Sequence, residues 1–299
     1  MSGGGWGRGA GQVGVINEVS KSHHATPEVT MKNINRLLGL VFALVSVLFA
    51  VSLFPNLGAA KVVKSTITVE GRPGTTVKAK VLIPTSPVAI AVLLMGGGGK
   101  IVERSGSRGF PGFIADNAER FAEHGLLAVL VDAPSDHRGS EGMRPQFRFS
   151  NAHVNDVDAI IDEVKQETNL SVWLIGVSLG SISAANVAAN SRHHVGGLVL
   201  ASAESRRPSW SVPNLELSNV NAPALLVAHK KDRCRGTPPE GAKIIAKKLV
   251  NARLIEIKIF TGGPNEGRNP CHPGTPHTFH GIQAEVVRFI ADFVKTHSR

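Results

Sequence analysis

The chain has 299 residues, of which 42% are hydrophobic and 19% are charged. These values are typical of one sizeable globular domain, and they exclude a fibrous or largely disordered protein. The formal net charge is +10, but the basic residues are scattered, with one short run over 230–235, and no aromatic-rich basic segment accompanies them. We therefore predict a solvated basic surface and no nucleic-acid partner.

The segment 31–60 has the features of an export signal. Lys32 and Arg36 precede an uncharged apolar run over 37–54, and small residues follow as far as Ala60. A basic, then apolar, then small-residue order is typical of a cleaved signal peptide. We predict a secreted or periplasmic protein without stable membrane insertion after cleavage. A retained membrane anchor is the alternative, since about 18 apolar residues can just span a bilayer.

The first 30 residues are rich in glycine and polar side chains, unlike the start of a signal peptide, whereas Met31 begins a segment that resembles a natural N-terminus. We therefore predict three parts: a non-native upstream extension over 1–30, a signal peptide over 31–60 and a single folded domain over 61–299.

Beyond residue 61, strand and helix patterns alternate along the chain. Alternating apolar and polar residues on both sides of the turn at 71–74 predict an antiparallel hairpin. A continuous apolar run at 88–95 is typical of a strand buried on both faces of a sheet, and further strands are predicted at 126–134, 171–178, 196–203, 222–230 and 252–260. Helices are predicted between and after them at 112–124, 152–166, 179–190, 239–250 and 281–297. This order predicts an α/β fold with a mostly parallel central sheet, helices on both faces and no large cap domain.

The segment Gly-Val-Ser-Leu-Gly at 176–180 matches the pattern G-x-S-x-G where a predicted strand meets a predicted helix. In that position the two glycines remove side chains from a sharp turn that lifts the serine to the carboxyl edge of the sheet. We therefore predict that Ser178 is a nucleophile. A serine that only caps the following helix is the alternative.

A nucleophilic serine needs a base and an orienting acid, which follow it in the order Ser, Asp or Glu, His in this arrangement. Asp232 follows the strand predicted at 222–230 and is the predicted acid, with Glu204 as the alternative. His277 is the predicted base, with His280 and His272 as alternatives. Clustered histidines can also bind metal, but no zinc-ligand spacing is present, so we predict neither a metal ion nor a cofactor.

Acyl transfer also needs two backbone N–H donors for the developing oxyanion. We predict the N–H group of Leu179, which follows the nucleophile, and that of Gly97 or Gly98 in the glycine run over 96–99. A flexible turn or a phosphate-binding loop is the alternative for this run, which lacks the Lys-Ser/Thr ending of a P-loop.

Four segments together carry a family resemblance: LLMGGGG, VWLIGVSLGS, VAHKKD and PHTFHGI. From about Lys61 to its end, the chain resembles the α/β-hydrolase superfamily, in the style of small, cap-poor, dienelactone-hydrolase-like esterases. The segments VDAPSDH and RFSNAHVNDVDAII, with a cysteine after the acid, are similar to an exported subgroup. The resemblance implies a serine hydrolase acting on a small-molecule ester or related acyl substrate.

The chain departs from the relatives at two positions. Met95 stands where many of them have histidine, and the nucleophile is serine where the dienelactone hydrolases proper have cysteine, so the resemblance does not name the substrate. A peptidase of the same fold and a non-catalytic binding protein remain alternatives.

The two cysteines flank the predicted acid and base. Cys234 follows Asp232 closely, and Cys271 precedes His277. In an exported protein they can form one disulfide that ties the acid loop to the base loop; two free buried cysteines are the alternative. Arg148 and His153 are predicted either to line the pocket or to lie on the surface where a helix begins.

Overall fold

The computed structural model describes residues 62–101 and 112–298. The predicted upstream extension, and the signal peptide with its apolar run, lie outside the described residues. Among the helices that the structure does describe, none is both long and apolar enough to cross a membrane.

The domain begins with the predicted hairpin. Strands β1 (Val63–Arg72) and β2 (Thr75–Ile83) pair antiparallel. The turn between them contains Gly74 at φ 73°, a left-handed conformation that glycine adopts without steric cost. On β2, buried and exposed residues alternate over its first half, which places one face of the hairpin on the protein core.

Six further strands complete an eight-stranded sheet in the order β1-β2-β4-β3-β5-β6-β7-β8. Strand β2 pairs antiparallel with β4, and the pairs from β4 through β8 are parallel. The six are β3 (Ala89–Leu94), β4 (Leu126–Val131), β5 (Val172–Ser178), β6 (Val195–Ala203), β7 (Ala224–His229) and β8 (Ile255–Phe260). Strands β3 to β7 are continuous apolar runs because both faces of the sheet are covered.

Helices cover the two faces of the sheet. The described helices are α1 (Ala118–Glu123), α2 (Pro145–Arg148), α3 (Asn151–Lys165), α4 (Leu179–Asn190), α5 (Gly241–Ala246) and α6 (Gln283–His297). Apolar residues of α3, α4 and α5 pack in one core cluster with one face of the sheet, and those of α1 and α6 pack in a second cluster with the other face. The predicted α/β-hydrolase fold, a mostly parallel sheet between helices, is confirmed.

Two predicted helices are shorter in the structure. The helix predicted at 112–124 is a 3-10 turn (Ala115–Asn117) followed by α1, since the Asn117 side chain donates to the carbonyl of Phe113 at 2.6 Å and competes with regular helix bonding. The helix predicted at 239–250 ends at Ala246, because the next turn uses hydrogen bonds to carbonyls three residues back.

Strands β3 and β5 are neighbours, and the chain leaves β3 toward β4 on one side and leaves β5 toward β6 on the other side. A crevice forms outside the carboxyl ends of the strands at such a switch point, and ligands bind there in open α/β sheets. The glycine run follows β3 and Ser178 ends β5, so the two meet at this crevice.

Candidate active site

Ser178 lies at a strained turn between β5 and α4. Its backbone has φ 54° and ψ −127°, a conformation that a non-glycine residue rarely adopts. A β-carbon on Gly180 would collide with the carbonyl of Leu94, and one on Gly176 would collide with the carbonyl of Gly180. Both glycines of the motif are therefore needed for the close approach of strand and helix.

The glycine run after β3 packs directly against this turn. A β-carbon on Gly96 would lie 2.9 Å from the β-carbon of Ser178, so any side chain there would displace the serine. A cleft of about 370 Å³ opens at this point, within the range of small-molecule sites. Its wall is mainly apolar, and its lining includes Ser178, His277, Gly97, Met95, Phe113, Ile114 and Val177.

Asp232 and His277 form a buried pair at the edge of the same cleft. Oδ2 of Asp232 lies 3.0 Å from Nδ1 of His277, and both side chains are almost wholly shielded from solvent. A carboxylate only accepts hydrogen bonds, so this contact requires the proton to be on Nδ1 and leaves Nε2 as the basic nitrogen. The backbone N–H of Cys234 donates to Oδ1 of Asp232 at 2.9 Å and fixes the carboxylate plane.

Thr237 contacts both members of this pair, and sequence reasoning missed it. Its hydroxyl donates to Oδ2 of Asp232 at 3.0 Å, and the hydroxyl oxygen Oγ1 also lies 3.0 Å from Nδ1 of His277. The side chain is buried in the loop that follows β7. A threonine five residues after an acid has no distinctive spacing, so the sequence carries no signal for it.

The alternative acid and bases have other partners. Glu204 is buried, accepts a hydrogen bond from Arg207 at 3.1 Å and does not contact His277. His280 lies 2.9 Å from a carboxylate oxygen of Glu266. His272 is exposed and lines the cleft, although it forms no described contact with an acid.

The predicted oxyanion donors belong to two segments that lie next to Ser178. Leu179 is the first residue of α4, so its N–H has no acceptor within the helix. Gly97 lines the cleft, and within residues 62–101 and 112–298 its N–H has no hydrogen-bond acceptor. Gly98 is turned toward the adjoining loop, where its carbonyl accepts a hydrogen bond from the N–H of Met143 at 2.9 Å.

Cys234 and Cys271 are joined in a disulfide, across a sequence separation of 37 residues. Cys271 also lines the cleft. The disulfide thus connects the loop of Asp232 to the loop of His277.

Arg148 and His153 are neither surface residues nor lining residues of the cleft. Both are buried, and burial lowers the pKa of Arg148 to about 9. Burial, followed by the nearby charges of Arg148, His137 and Arg72, lowers the pKa of His153 to about 3. Both expectations for these two residues are therefore wrong, because Arg148 turns inward and donates to the carbonyl of Gly97, and His153 lies on the buried face of α3.

Comparison with known proteins agrees with this architecture. The structure is similar to a dienelactone hydrolase from Anabaena variabilis (17% identity, TM-score 0.57, covering 80% of this chain and 99% of that one). It is also similar to a cold-adapted esterase from an Arctic intertidal metagenomic library (16% identity, TM-score 0.53, 82% and 97%). A thermostable carboxyl esterase from Bacillus coagulans is a third similar structure (14% identity, TM-score 0.56, 80% and 99%).

At these identities, the three structures show the fold alone. No curated protein matches the chain. The family described as "Serine aminopeptidase, S33" matches residues 98–262, more than half of the chain. The chain therefore belongs to this family of α/β-hydrolases.

Proposed function

We propose that the chain is a serine hydrolase that cleaves a carboxylic ester through an acyl-enzyme, with Ser178 as nucleophile, His277 as base and Asp232 as the orienting acid. The observation that carries the proposal is the buried Asp232–His277 pair on the cleft that also holds Ser178. Its members occur in the chain order expected for this fold.

In the first half of the reaction, Oγ of Ser178 bonds to the acyl carbon and its proton passes to Nε2 of His277. The tetrahedral intermediate then expels the alcohol, which takes that proton, and leaves an acyl-enzyme. Asp232 keeps the imidazole in the tautomer that accepts a proton at Nε2 and stabilises the cation that forms.

In the second half, a water molecule attacks the acyl carbon while His277 takes one of its protons. Collapse of the second intermediate breaks the bond to Ser178, whose oxygen recovers the proton, and releases the carboxylic acid. In both halves the negative oxygen is stabilised by the N–H groups of Leu179 and Gly97, aided by the N-terminus of α4.

An ester is favoured over a peptide by the chemistry of the cleft. Its walls are mainly apolar, and its volume of about 370 Å³ suits a small acyl group. The three similar structures are those of a dienelactone hydrolase and two esterases, which supports the same substrate class. An aminopeptidase is the second candidate, favoured by the description of the family and by Asp116, a carboxylate on the cleft wall that could face an α-amino group.

We also propose that the protein is exported. The signal-like segment over 31–60 supports this, as does the disulfide between Cys234 and Cys271, a bond that persists in oxidising compartments.

The test compares the protein that is expressed from the full-length sequence and purified from the exported fraction with its Ser178→Ala variant. Both are assayed on p-nitrophenyl esters of increasing acyl length and on aminoacyl p-nitroanilides. We expect the wild type to hydrolyse short esters at least about 10⁴-fold faster than the variant. Equal ester hydrolysis by the two would refute the mechanism. Serine-dependent cleavage of the anilides alone would favour the peptidase, and no hydrolysis of either substrate class would favour a binding protein.

A further inference from the structure

Arg148 carries a positive charge into the protein interior, where no described carboxylate pairs with it. Its side chain is fully buried at the end of α2. Desolvation is the cause that lowers its pKa to about 9, and no acidic group offsets it. Burial of an uncompensated charge is costly, so the guanidinium group must be held by well-placed acceptors.

Those acceptors belong to three different segments. Nη2 of Arg148 donates to the carbonyl of Gly97 at 2.9 Å, and Nη1 donates to Oγ of Ser183 at 2.8 Å. A longer contact of 3.4 Å joins Nε to the carbonyl of Met143. Ser183 lies on α4, one turn after Leu179, so a single guanidinium group links the glycine run to the helix that follows the nucleophile.

The contact with Arg148 fixes the peptide unit that joins Gly97 to Gly98. A trans peptide is planar, so a carbonyl of Gly97 that points into the interior turns the N–H of Gly98 the opposite way. The N–H of Gly97 belongs to the preceding unit, whose Gly96 carbonyl accepts a hydrogen bond from the N–H of Gly99 at 3.1 Å. Both peptide units that flank Gly97 are therefore oriented by hydrogen bonds.

The glycine run needs such anchors because its residues are conformationally free. Gly97 and Gly99 have φ values of 56° and 70°, and glycine populates positive and negative φ almost equally. Without the guanidinium group, the run between β3 and the adjoining loop could take several conformations. Donors to an oxyanion are effective only when they already point at it before the reaction.

We propose that Arg148 is a positioning residue that holds the two halves of the oxyanion hole, the Gly97 backbone and the N-terminus of α4, in fixed relation to each other. The inference rests on the proposed function, since it assigns Gly97 and Leu179 as donors. It predicts an effect on the transition state and little effect on substrate binding.

The experiment measures ester hydrolysis by the Arg148→Lys variant, which keeps a positive charge but cannot span the three acceptors. Loss of one oxyanion donor lowers kcat by roughly 10²–10³-fold, so a mispositioned donor should lower kcat by at least about tenfold. KM should stay within about twofold, because ground-state binding is unchanged. Inhibition by phenylboronic acid, whose adduct with serine carries an oxygen in the oxyanion position, should weaken by the same factor as kcat.

A matched control separates positioning from loss of stability. Ile160→Ala removes buried packing on α3 and no hydrogen bond, so its melting temperature should fall while kcat and boronate inhibition stay unchanged. A folded Arg148→Lys variant with wild-type kcat would overturn the inference, and so would equal effects on kcat in both variants at matched melting temperature.

Two further variants keep the inference testable if Arg148→Lys does not fold. Ser183→Ala removes the anchor on α4 alone and should lower kcat several-fold with KM unchanged; unchanged kcat would overturn the inference. Arg148→Gly should recover activity with added guanidinium ion and not with equal sodium chloride. Failure of the proposed function is distinct, because it appears as equal activity of wild type and Ser178→Ala.

Discussion

The disulfide between Cys234 and Cys271 connects the loop that carries Asp232 to the loop that carries His277. The Asp232–His277 hydrogen bond joins the same two loops only a few residues away from the disulfide. The disulfide therefore restrains the two loops in the arrangement that this hydrogen bond requires.

Removal of this disulfide should reduce both stability and activity. For a closed loop of 37 residues, the chain-entropy estimate is about 4 kcal/mol of stabilisation. We expect the Cys234→Ser/Cys271→Ser double variant to show a lower free energy of unfolding in urea and a lower kcat. Dithiothreitol should lower the free energy of unfolding and the kcat of the wild type, and it should leave both values of the double variant unchanged. Equal unfolding curves for the oxidised wild type and the variant would argue against this role.

Asp232 should be essential for catalysis, and Glu204 should not. Asp232→Asn presents an amide to Nδ1 of His277, which favours the wrong tautomer and should lower kcat by roughly 10³–10⁴-fold with little change in KM. Glu204→Gln is the control, because Glu204 pairs with Arg207 and does not contact His277. A larger loss from Glu204→Gln than from Asp232→Asn would reverse the assignment of the acid.

Thr237 should contribute through its hydroxyl group alone. Thr237→Val keeps the side-chain shape and removes the donor to Oδ2 of Asp232. A hydrogen bond to a charged group contributes about 1.5–3 kcal/mol, so we expect kcat to fall by at least about tenfold while KM is retained. Thr237→Ser restores the hydroxyl and should restore most of the rate. If valine and serine act alike, the hydroxyl has no part in orienting the pair.

His153 should make the free energy of unfolding decrease at acidic pH. Both of its ring nitrogens are buried without a hydrogen-bond partner among the described residues, and burial lowers its pKa from 6.5 to about 3. The unfolded chain therefore binds a proton below pH 6.5 that the folded protein does not, so stability falls as pH decreases from 6.5 toward 3. Each pH unit in this window costs on the order of 1 kcal/mol from this residue.

The measurement is the urea unfolding free energy at pH 7.5 and at pH 5 for the wild type and for His153→Leu. Because leucine does not titrate, we expect the wild type to lose about 2 kcal/mol more than the variant between these two pH values. Parallel losses in the two proteins would mean that His153 is protonated in the folded state.

The fold could be predicted from the sequence because each central strand is a continuous apolar run flanked by turn residues. The same runs located the site, since Ser178 ends β5 and Asp232 follows β7 at one edge of the sheet. Chain order then indicated His277 as the base. These inferences depend on local pattern and on the general topology of parallel sheets.

Thr237 and Arg148 could not be predicted because their roles depend on contacts between distant segments. Thr237 contacts His277 at a sequence separation of 40 residues, and Arg148 contacts Gly97 at a sequence separation of 51 residues. Neither contact leaves a periodic pattern in the sequence. The shortened ends of α1 and α5 were missed for a different reason: local hydrogen bonds there override an amphipathic pattern that continues beyond the helix.

The central claim is that Ser178 is a nucleophile activated by His277. Its most direct test is intact-protein and peptide mass spectrometry after reaction with a fluorophosphonate, using the wild type, Ser178→Ala and His277→Ala. The account predicts one phosphonyl adduct on the peptide that contains Ser178, none on Ser178→Ala and strongly slowed labelling of His277→Ala. Labelling of a different residue, or rapid labelling of a folded His277→Ala variant, would contradict it.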